Sequence, residues 1–231
     1  MQHNIRASSV LAKTVSVKGL YMALIQDSWY REGFIRGLNI PGYTLFSASR
    51  IGRPRACILT RNETSSMLPG FFCRDLIAVL IKYNDDGAER WLVLCSAYTP
   101  YDSEDPSPLK EKRKDLTQYC ENENLYLVVV CDPNPHHIER GSTNCNNRGE
   151  ALMEFLNSSY LVILNQGNKS TFCSGGKLEV IDITLGSFGH LESIIGWEVS
   201  TEPSLSDFRH ILFTLHGYVP VRPIRNPRGT K

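Results

Sequence analysis

Apolar residues along this chain come in short runs separated by polar stretches rich in glycine and proline. The runs "YMALIQ" (21–26), "ACILT" (56–60), "LIAVLIKY" (76–83), "WLVLCSAY" (91–98), "LYLVVVCD" (125–132), "YLVILNQG" (160–167), "EVIDITLGS" (179–187) and "HILFTL" (210–215) are five to nine residues long. They are dominated by β-branched and aromatic types, the composition of strands inside a sheet. Two segments have helical spacing instead. "SPLKEKRKDLTQYCENEN" (107–124) opens with a Ser-Pro start and carries Leu109, Leu116 and Tyr119 as its apolar positions. "NRGEALMEFLNSS" (147–159) puts Leu152, Phe155 and Leu156 on one face. Strand follows strand with few helices between them. That order predicts two packed, mostly antiparallel sheets flanked by helices, an α/β sandwich, rather than an alternating parallel fold. No repeat or linker interrupts it, so one domain is expected over 1–219 with a basic, loose tail over 220–231.

The ends of these runs carry the chemistry, because a packed sheet projects its strand ends to a common rim. Asp27 follows the run 21–26, Tyr98 closes the run 91–98 with Tyr101 beyond it, and Asp132 closes the run 125–132 with Asn134 two residues on. Asp182 lies within an apolar run, where a carboxylate is costly unless it is hydrogen-bonded, paired or bound to metal. Asp207 precedes the last run, and Asn4 stands near the start of the chain. Each acid alone is an ordinary turn or cap residue. As an ordered set, hard oxygen ligands with amide and phenol donors match the needs of Mg²⁺ and a phosphate ester.

Composition narrows the picture only a little. With 42% hydrophobic and 21% charged residues and a net charge of +1 over 231 residues, the chain carries no global basic field of the kind that announces a nucleic-acid binder. Basic residues do gather in "SRIGRPR" (49–55), "KEKRK" (110–114) and "VRPIRNPRGTK" (221–231). The seven scattered cysteines, with no CxxC, read as free buried thiols in a reducing, intracellular setting. No signal peptide and no apolar run long enough for a membrane helix is present.

The segments "QHN", "LIQD", "SAYTPYD", "CDPNPHH…GSTNCNNRGE", "EVIDITL" and "SLSDFRHI" occur in an order and spacing that resembles the endonuclease domain of insect non-LTR retrotransposons, the Jockey and R1-like groups. The resemblance runs from about residue 1 to 216 and extends to "RGEALMEFL" and "STEPSLSD". That domain belongs to the endonuclease/exonuclease/phosphatase superfamily, with apurinic endonucleases and DNase I. The resemblance implies a four-layer α/β sandwich and Mg²⁺-dependent (or Mn²⁺-dependent) hydrolysis of DNA phosphodiesters. It further implies that Asn4 and Asp27, with Asp207, sit at the metal, that Asp132 and Asn134 orient the attacking water, and that Tyr98 donates to a phosphate oxygen. Asp182 would polarise a histidine directly after the Ser-Asp pair. Arg50, Arg53, Arg55 and Arg140 are the candidate phosphate-backbone contacts. His136 and His137 fall where relatives also carry histidines, which favours a role in ordering the loop over zinc binding.

Two positions depart from that pattern. The family has Glu where this chain has Asp27, a carboxylate withdrawn by roughly 1.5 Å. The family has His where this chain has Phe208, and a phenylalanine neither donates nor exchanges a proton. His210 lies two residues on, about 6.6 Å along an extended strand, so it points to the same side without reaching the same spot. The reading drawn from these departures is an endonuclease-like domain with weakened or lost hydrolysis, retained for binding DNA, RNA or a protein, and nuclear if the ligand is nucleic acid. An active Mg²⁺-dependent nickase is the first alternative. A pure protein-interaction module, using the old cleft rim or "LPGFF" (68–72), is the second. No reverse-transcriptase region follows within the 231 residues, the expectation for either a domesticated gene or an excised domain.

Overall fold

A computed structural model of the chain describes residues 4–49, 52–61, 65–85, 87–99, 108–133, 147–189, 194–216 and 218–220. Its central feature is a seven-stranded sheet in the order β10 (Leu161–Ile163), β13 (Ile183–Ser187), β9 (Tyr126–Asp132), β8 (Ala88–Tyr98), β7 (Leu76–Asp85), β16 (Val219–Pro220), with β6 (Ser65–Phe72) also paired to β7. Every pairing is antiparallel except β8 with β9, which run parallel. A second, three-stranded sheet is ordered β1 (Met22–Gln26), β5 (Ala56–Thr60), β4 (Thr44–Ser47). Three hairpins complete the strands: β2 (Tyr30–Arg31) with β3 (Phe34–Ile35), β11 (Phe172–Ser174) with β12 (Lys177–Glu179), and β14 (Ile194–Val199) with β15 (Ile211–Leu215).

Alternation along the strands builds the layers. In β7, β8 and β9 one set of side chains, including Ala78, Val93, Cys95, Leu127 and Val129, packs outward with Leu116 and Cys120 of helix α2 (Pro108–Asn122) and Leu152 and Phe155 of helix α3 (Asn147–Asn157). The alternate set, including Ile77, Val79, Leu92, Leu94 and Val128, packs inward against Ala56 and Ile58 of β5. On the far side of the small sheet, Cys57 and Leu59 of β5 and Ile25 of β1 meet Val15 of helix α1 (Ile5–Lys18). Helix, sheet, sheet, helix is the four-layer α/β sandwich expected from the sequence, since period-two alternation lets one strand serve two cores.

Differences from the expected elements have local causes. Helix α1 was not anticipated, because "IRASSVLAKTVSVK" is rich in Ser, Thr and Val, which favour other conformations. It is held by its ends and by burial. The Asn4 side chain accepts from the Arg6 amide, Gly19 closes the helix in the left-handed region at φ 62°, and Ala7 and Val15 are buried. The "LPGFF" stretch, named above as a candidate interaction surface, belongs to β6, with Leu68 buried and Phe71 and Phe72 packed on the two central cores. β14 escaped notice because Gly196, at φ 65°, breaks its alternation at an irregularity in the register. The run 160–167 contributes a strand only over Leu161–Ile163. Among the described residues six cysteines are free, four of them buried, and no helix is long and apolar enough to cross a membrane.

Candidate functional site

The C-terminal ends of β1, β8 and β9 open onto one cavity of about 1150 Å³, and Asp27, Tyr98 and Asp132 all line it. The parallel pairing of β8 and β9 puts Tyr98 directly beside Asp132. Both extend the inward-facing alternation of their strands, so the positions after the last apolar residues of the inner core present their side chains to the gap between the sheets. Asp132 is buried, and its carbonyl accepts from the Thr99 amide at 2.9 Å, which continues the parallel pairing past the strand end.

Just behind this rim the two sheets are tied together by polar groups. The Gln26 amide donates to Ser96 Oγ at 2.9 Å and to the Val130 carbonyl at 3.2 Å, and Ser96 Oγ donates to the Ile25 carbonyl at 3.0 Å. Sequence reasoning missed this clamp. Its signal is a Gln and a Ser at inward-facing positions of otherwise apolar strands. A second brace holds Tyr98 from outside: Arg55 forms a two-pronged pair with Asp75, Nη2 to Oδ2 at 2.6 Å, and its guanidinium lies 5.3 Å from the Tyr98 ring centre. The Tyr98 amide donates to the Asp75 carbonyl at 2.8 Å. Arg55 is therefore held in a mostly buried ion pair, while Arg53, two residues earlier, is exposed. Arg50, Arg140, Asn134, Tyr101, His136 and His137 lie outside the described residues.

The opposite wall of the cavity comes from residues 171–182 and 204–215. Asp182, just ahead of β13, is buried and lines the cavity. Its carboxyl is pushed up to about 6, chiefly by burial, with a hydrogen bond to Thr171 working against the rise. One of its oxygens, Oδ2, has no hydrogen-bond partner among the described residues. Thr171 Oγ1 accepts from the Ile181 and Asp182 amides at 3.0 and 3.1 Å, so this threonine fixes the backbone from which Asp182 projects.

Phe208 also lines the cavity, where its ring packs edge-on against Phe172 with centroids 5.1 Å apart. The backbone on either side is sewn to β11: Cys173 donates its amide to the Asp207 carbonyl at 2.7 Å, and the Arg209 amide donates to the Thr171 carbonyl at 2.8 Å. Asp207 precedes β15 by four residues and is not part of the cavity lining. His210 is part of it. Burial lowers its pKa, which favours the neutral imidazole, and Glu202 opposes that shift. Asn4 caps α1 through its carbonyl oxygen and donates its amide to the Leu205 carbonyl at 3.3 Å, which joins the start of the helix to the 204–210 segment.

Two residues near this cavity hold a left-handed backbone without being glycine: Asp27 at φ 53° and Leu205 at φ 54°. Asp visits that region more readily than Glu or Leu, so the aspartate at position 27 suits the backbone it occupies. Leu205 is a true outlier, and strain of this kind concentrates at binding sites.

For a divalent ion the residues fit a hydrated site better than a dry cage. Among the described residues no three His, Cys, Asp or Glu side chains converge. Asp27 offers a carboxylate to the cavity, whereas the Asn4 oxygen is engaged as a helix cap. One carboxylate plus phosphate oxygens and water is a usual Mg²⁺ environment.

Comparison with known proteins follows the same lines. A search by sequence for curated relatives finds no match. Among solved structures, the chain resembles the endonuclease domain of TRAS1, a telomere-specific non-LTR retrotransposon, with a TM-score of 0.78 at 22% identity over 94% of each chain. It also resembles the catalytic domain of Xenopus laevis APE2 (TM-score 0.64, 15% identity, 93% of this chain and 90% of that one). The AP endonuclease LMAP of Leishmania major gives 0.71 at 11% identity, over 93% of this chain and 86% of that one. At these identities the likeness establishes the fold, that of the endonuclease/exonuclease/phosphatase nucleases. The family model described as endonuclease-reverse transcriptase matches residues 92–212. That span holds Tyr98, Asp132, Asp182 and the 204–210 segment and covers more than half of the chain, which therefore belongs to the endonuclease-reverse transcriptase family.

Proposed function

We propose that this domain binds nucleic acid through its endonuclease cleft while hydrolysing phosphodiesters weakly or not at all. The observation that carries this reading is the pairing of a buried, half-unsatisfied carboxylate at Asp182 with an aromatic side chain at Phe208, packed on Phe172 in the same cavity. A carboxylate in that place is suited to orient and polarise an imidazole. A phenyl ring gives it nothing to hold and offers no proton to a phosphate oxygen. The other half of the site retains its parts: Asp132 to orient a water, and Tyr98, braced by Arg55 and Asp75, to donate to a phosphate oxygen. A bound Mg²⁺, held at Asp27, would supply charge neutralisation at the phosphate. Asp27 would hold that ion with a carboxylate one methylene shorter than Glu. DNA is the ligand this fold favours, with exposed Arg53 as a phosphate contact.

The test is nicking of supercoiled plasmid in Mg²⁺ or Mn²⁺ by the native chain, by Asp132→Ala, and by the double variant Asp27→Glu/Phe208→His. The double variant should nick on the order of 10² to 10⁴ times faster than the native chain. Efficient nicking by the native chain, abolished in Asp132→Ala, would overturn the reading. It would favour the second one, an active nuclease in which His210 serves as the proton-exchanging group, a reading supported by its neutral imidazole in the same cavity. Binding is tested separately by fluorescence anisotropy with a labelled duplex. Affinity should fall steeply between roughly 50 and 200 mM salt if phosphate contacts dominate.

A further inference from the structure

The hairpin that follows Asp27 carries side chains its fold does not require. β2 and β3 pair Tyr30 with Ile35 and Arg31 with Phe34, and the Arg36 amide extends the ladder by donating to the Trp29 carbonyl at 2.9 Å. By the alternation of a strand, Tyr30 and Ile35 share one face of the ribbon, while Arg31, Phe34 and Arg36 share the other. The first face is the packed one. Ile35 joins the core around Val15, Ile25 and Leu38, and Tyr30 is half-buried. The second face meets solvent, with Arg31 and Arg36 exposed and Phe34 64% exposed.

An exposed apolar residue by itself is ordinary. Phe34 differs in its company. The Arg36 guanidinium lies 5.3 Å from the centre of its ring. Glu32, at the tip, pairs with both arginines: Oε1 with Arg31 Nε at 3.3 Å and Oε2 with Arg36 Nη2 at 3.2 Å. Arg36 Nε also donates to the Arg31 carbonyl at 3.4 Å. Both Nη groups of Arg31 and Nη1 of Arg36 are left without a partner among the described residues. Glu32 holds φ 53° beside Gly33 at φ 82°, the left-handed pair that closes a two-residue hairpin. Asparagine or glycine fills the first of those positions with less strain. What a glutamate adds there is the order it imposes on two guanidinium groups beside a phenyl ring, before any ligand arrives.

The stem of the hairpin is fixed to the rim of the cleft. Ser28 is buried, and its hydroxyl donates to the Pro54 carbonyl at 3.5 Å, next to exposed Arg53. Gly37, at φ 81°, approaches α1 so closely that a Cβ would lie 2.8 Å from Ser8 Cβ. Phe34 stands across the ribbon from Arg31, four residues past Asp27, and so no more than about 20 Å from that carboxylate. Arg31, Phe34 and Arg36 do not line the cavity, so their face is a contact surface beyond it.

We infer that this face binds single-stranded nucleic acid as it leaves the cleft: an unpaired base stacks on Phe34, and the flanking phosphates take the free Nη groups of Arg31 and Arg36. The inference rests on the reading that the cleft binds DNA, and it narrows the substrate class to DNA with a single-stranded stretch beside the contacted phosphate. Every base has a π face, whatever its identity, and a base inside an intact duplex keeps that face for its neighbours. Three arginines, counting Arg53, against the single acid Glu32 suit a polyanion. A protein partner would ask for a broader apolar patch, whereas the neighbours of the ring on this face are charged.

The test is fluorescence anisotropy of the full chain with two labelled DNAs: a blunt duplex, and the same duplex with a single-stranded extension of about ten nucleotides. The extended DNA should bind on the order of 10-fold more tightly than the blunt one. Phe34→Ala should remove that preference while leaving the blunt affinity and the Tm unchanged, since the ring faces solvent. Phe34→Trp should keep the preference. Arg31→Gln and Arg36→Gln should each lower the slope of log Kd against log salt for the extended DNA by about 0.7. Equal binding of both DNAs by the native chain overturns the inference and leaves the cleft reading standing. So does a preference that survives Phe34→Ala, or a loss of affinity in Phe34→Ala that is the same for both DNAs. Binding of neither DNA overturns the cleft reading and this inference with it.

Discussion

The two walls of the cavity were built by different means. One wall is the rim of β1, β8 and β9, where strand pairing, the Gln26–Ser96 clamp and the Arg55–Asp75 brace put Asp27, Tyr98 and Asp132 in place. The other is the 204–210 segment, which depends on single bonds to β11, on the Ser204 hydroxyl donating to the Phe208 carbonyl at 2.5 Å, and on the strained Leu205. Side chains on the first wall are positioned by the sheet and would be hard to change without disturbing the core. On the second wall a side chain can change with little effect on the backbone, and Phe208 packs on an aromatic neighbour, Phe172. Chemistry placed on a loop is therefore the chemistry most easily lost while the fold persists.

Variants can break or sharpen this contrast, and the largest effects should be catalytic. In the restored background Asp27→Glu/Phe208→His, Asp132→Ala should lower plasmid nicking on the order of 10²-fold or more, while leaving the melting temperature within a few degrees. If nicking survives, the first wall is not part of the chemistry and the contrast fails.

The next effect is a pH dependence from Asp182. Its folded pKa, about 6 against an ordinary 3.8, penalises the folded state wherever the carboxyl must ionise. At 1.36 kcal/mol per unit the rise amounts to roughly 3 kcal/mol. The penalty is fully present above pH 6 and is relieved as pH falls from 6 toward 4. Asp182→Asn should therefore stabilise the protein at pH 7 and remove this part of the pH profile in urea unfolding. Phe208→His should flatten the same region, because an imidazole gives the carboxylate a partner.

Smaller effects belong to the first wall. Arg55→Leu leaves Asp75 in a mostly buried position without its guanidinium, at a cost of about 1–3 kcal/mol in denaturant unfolding. It should also loosen Tyr98, so that nicking by the restored variant drops further than Arg53→Ala would make it. Ser96→Ala removes two of the three links of the inter-sheet clamp, leaving that from Gln26 to the Val130 carbonyl, and should cost about 1 kcal/mol, with no change in the pH profile.

Much of this was legible in the sequence. The eight apolar runs mark the principal strands because period-two burial leaves its imprint on composition, and the same runs put Asp27, Tyr98 and Asp132 at strand ends. The partners of those residues were not legible. Thr171 reaches Asp182 across the β11–β12 hairpin, and Phe172 meets Phe208 only because β11 folds against the 204–210 segment, a contact with no local signal. Asp207 illustrates the converse. Its place in the Ser-Asp pair ahead of a strand suggested a rim residue, yet the chain does not extend into β15 until Ile211, and Asp207 is not among the residues lining the cavity. Helix α1 was hidden by poor intrinsic propensity, and only Asn4 and Gly19 hinted at its ends.

The cysteines give the layers a built-in clock. Burial pushes the thiols of Cys57 and Cys120 up to about 12 and that of Cys95 higher still, so none of the three supplies thiolate to an alkylating reagent while the fold is closed. Cys57 belongs to the core under α1, whereas Cys95, Cys120 and Cys131 belong to the core under α2 and α3. Cys73 and Cys173 are only partly buried. Among the described cysteines, a maleimide pulse followed by mass spectrometry would thus mark the partly exposed pair first. The order in which the other four acquire label would then report which side of the sandwich opens before the other.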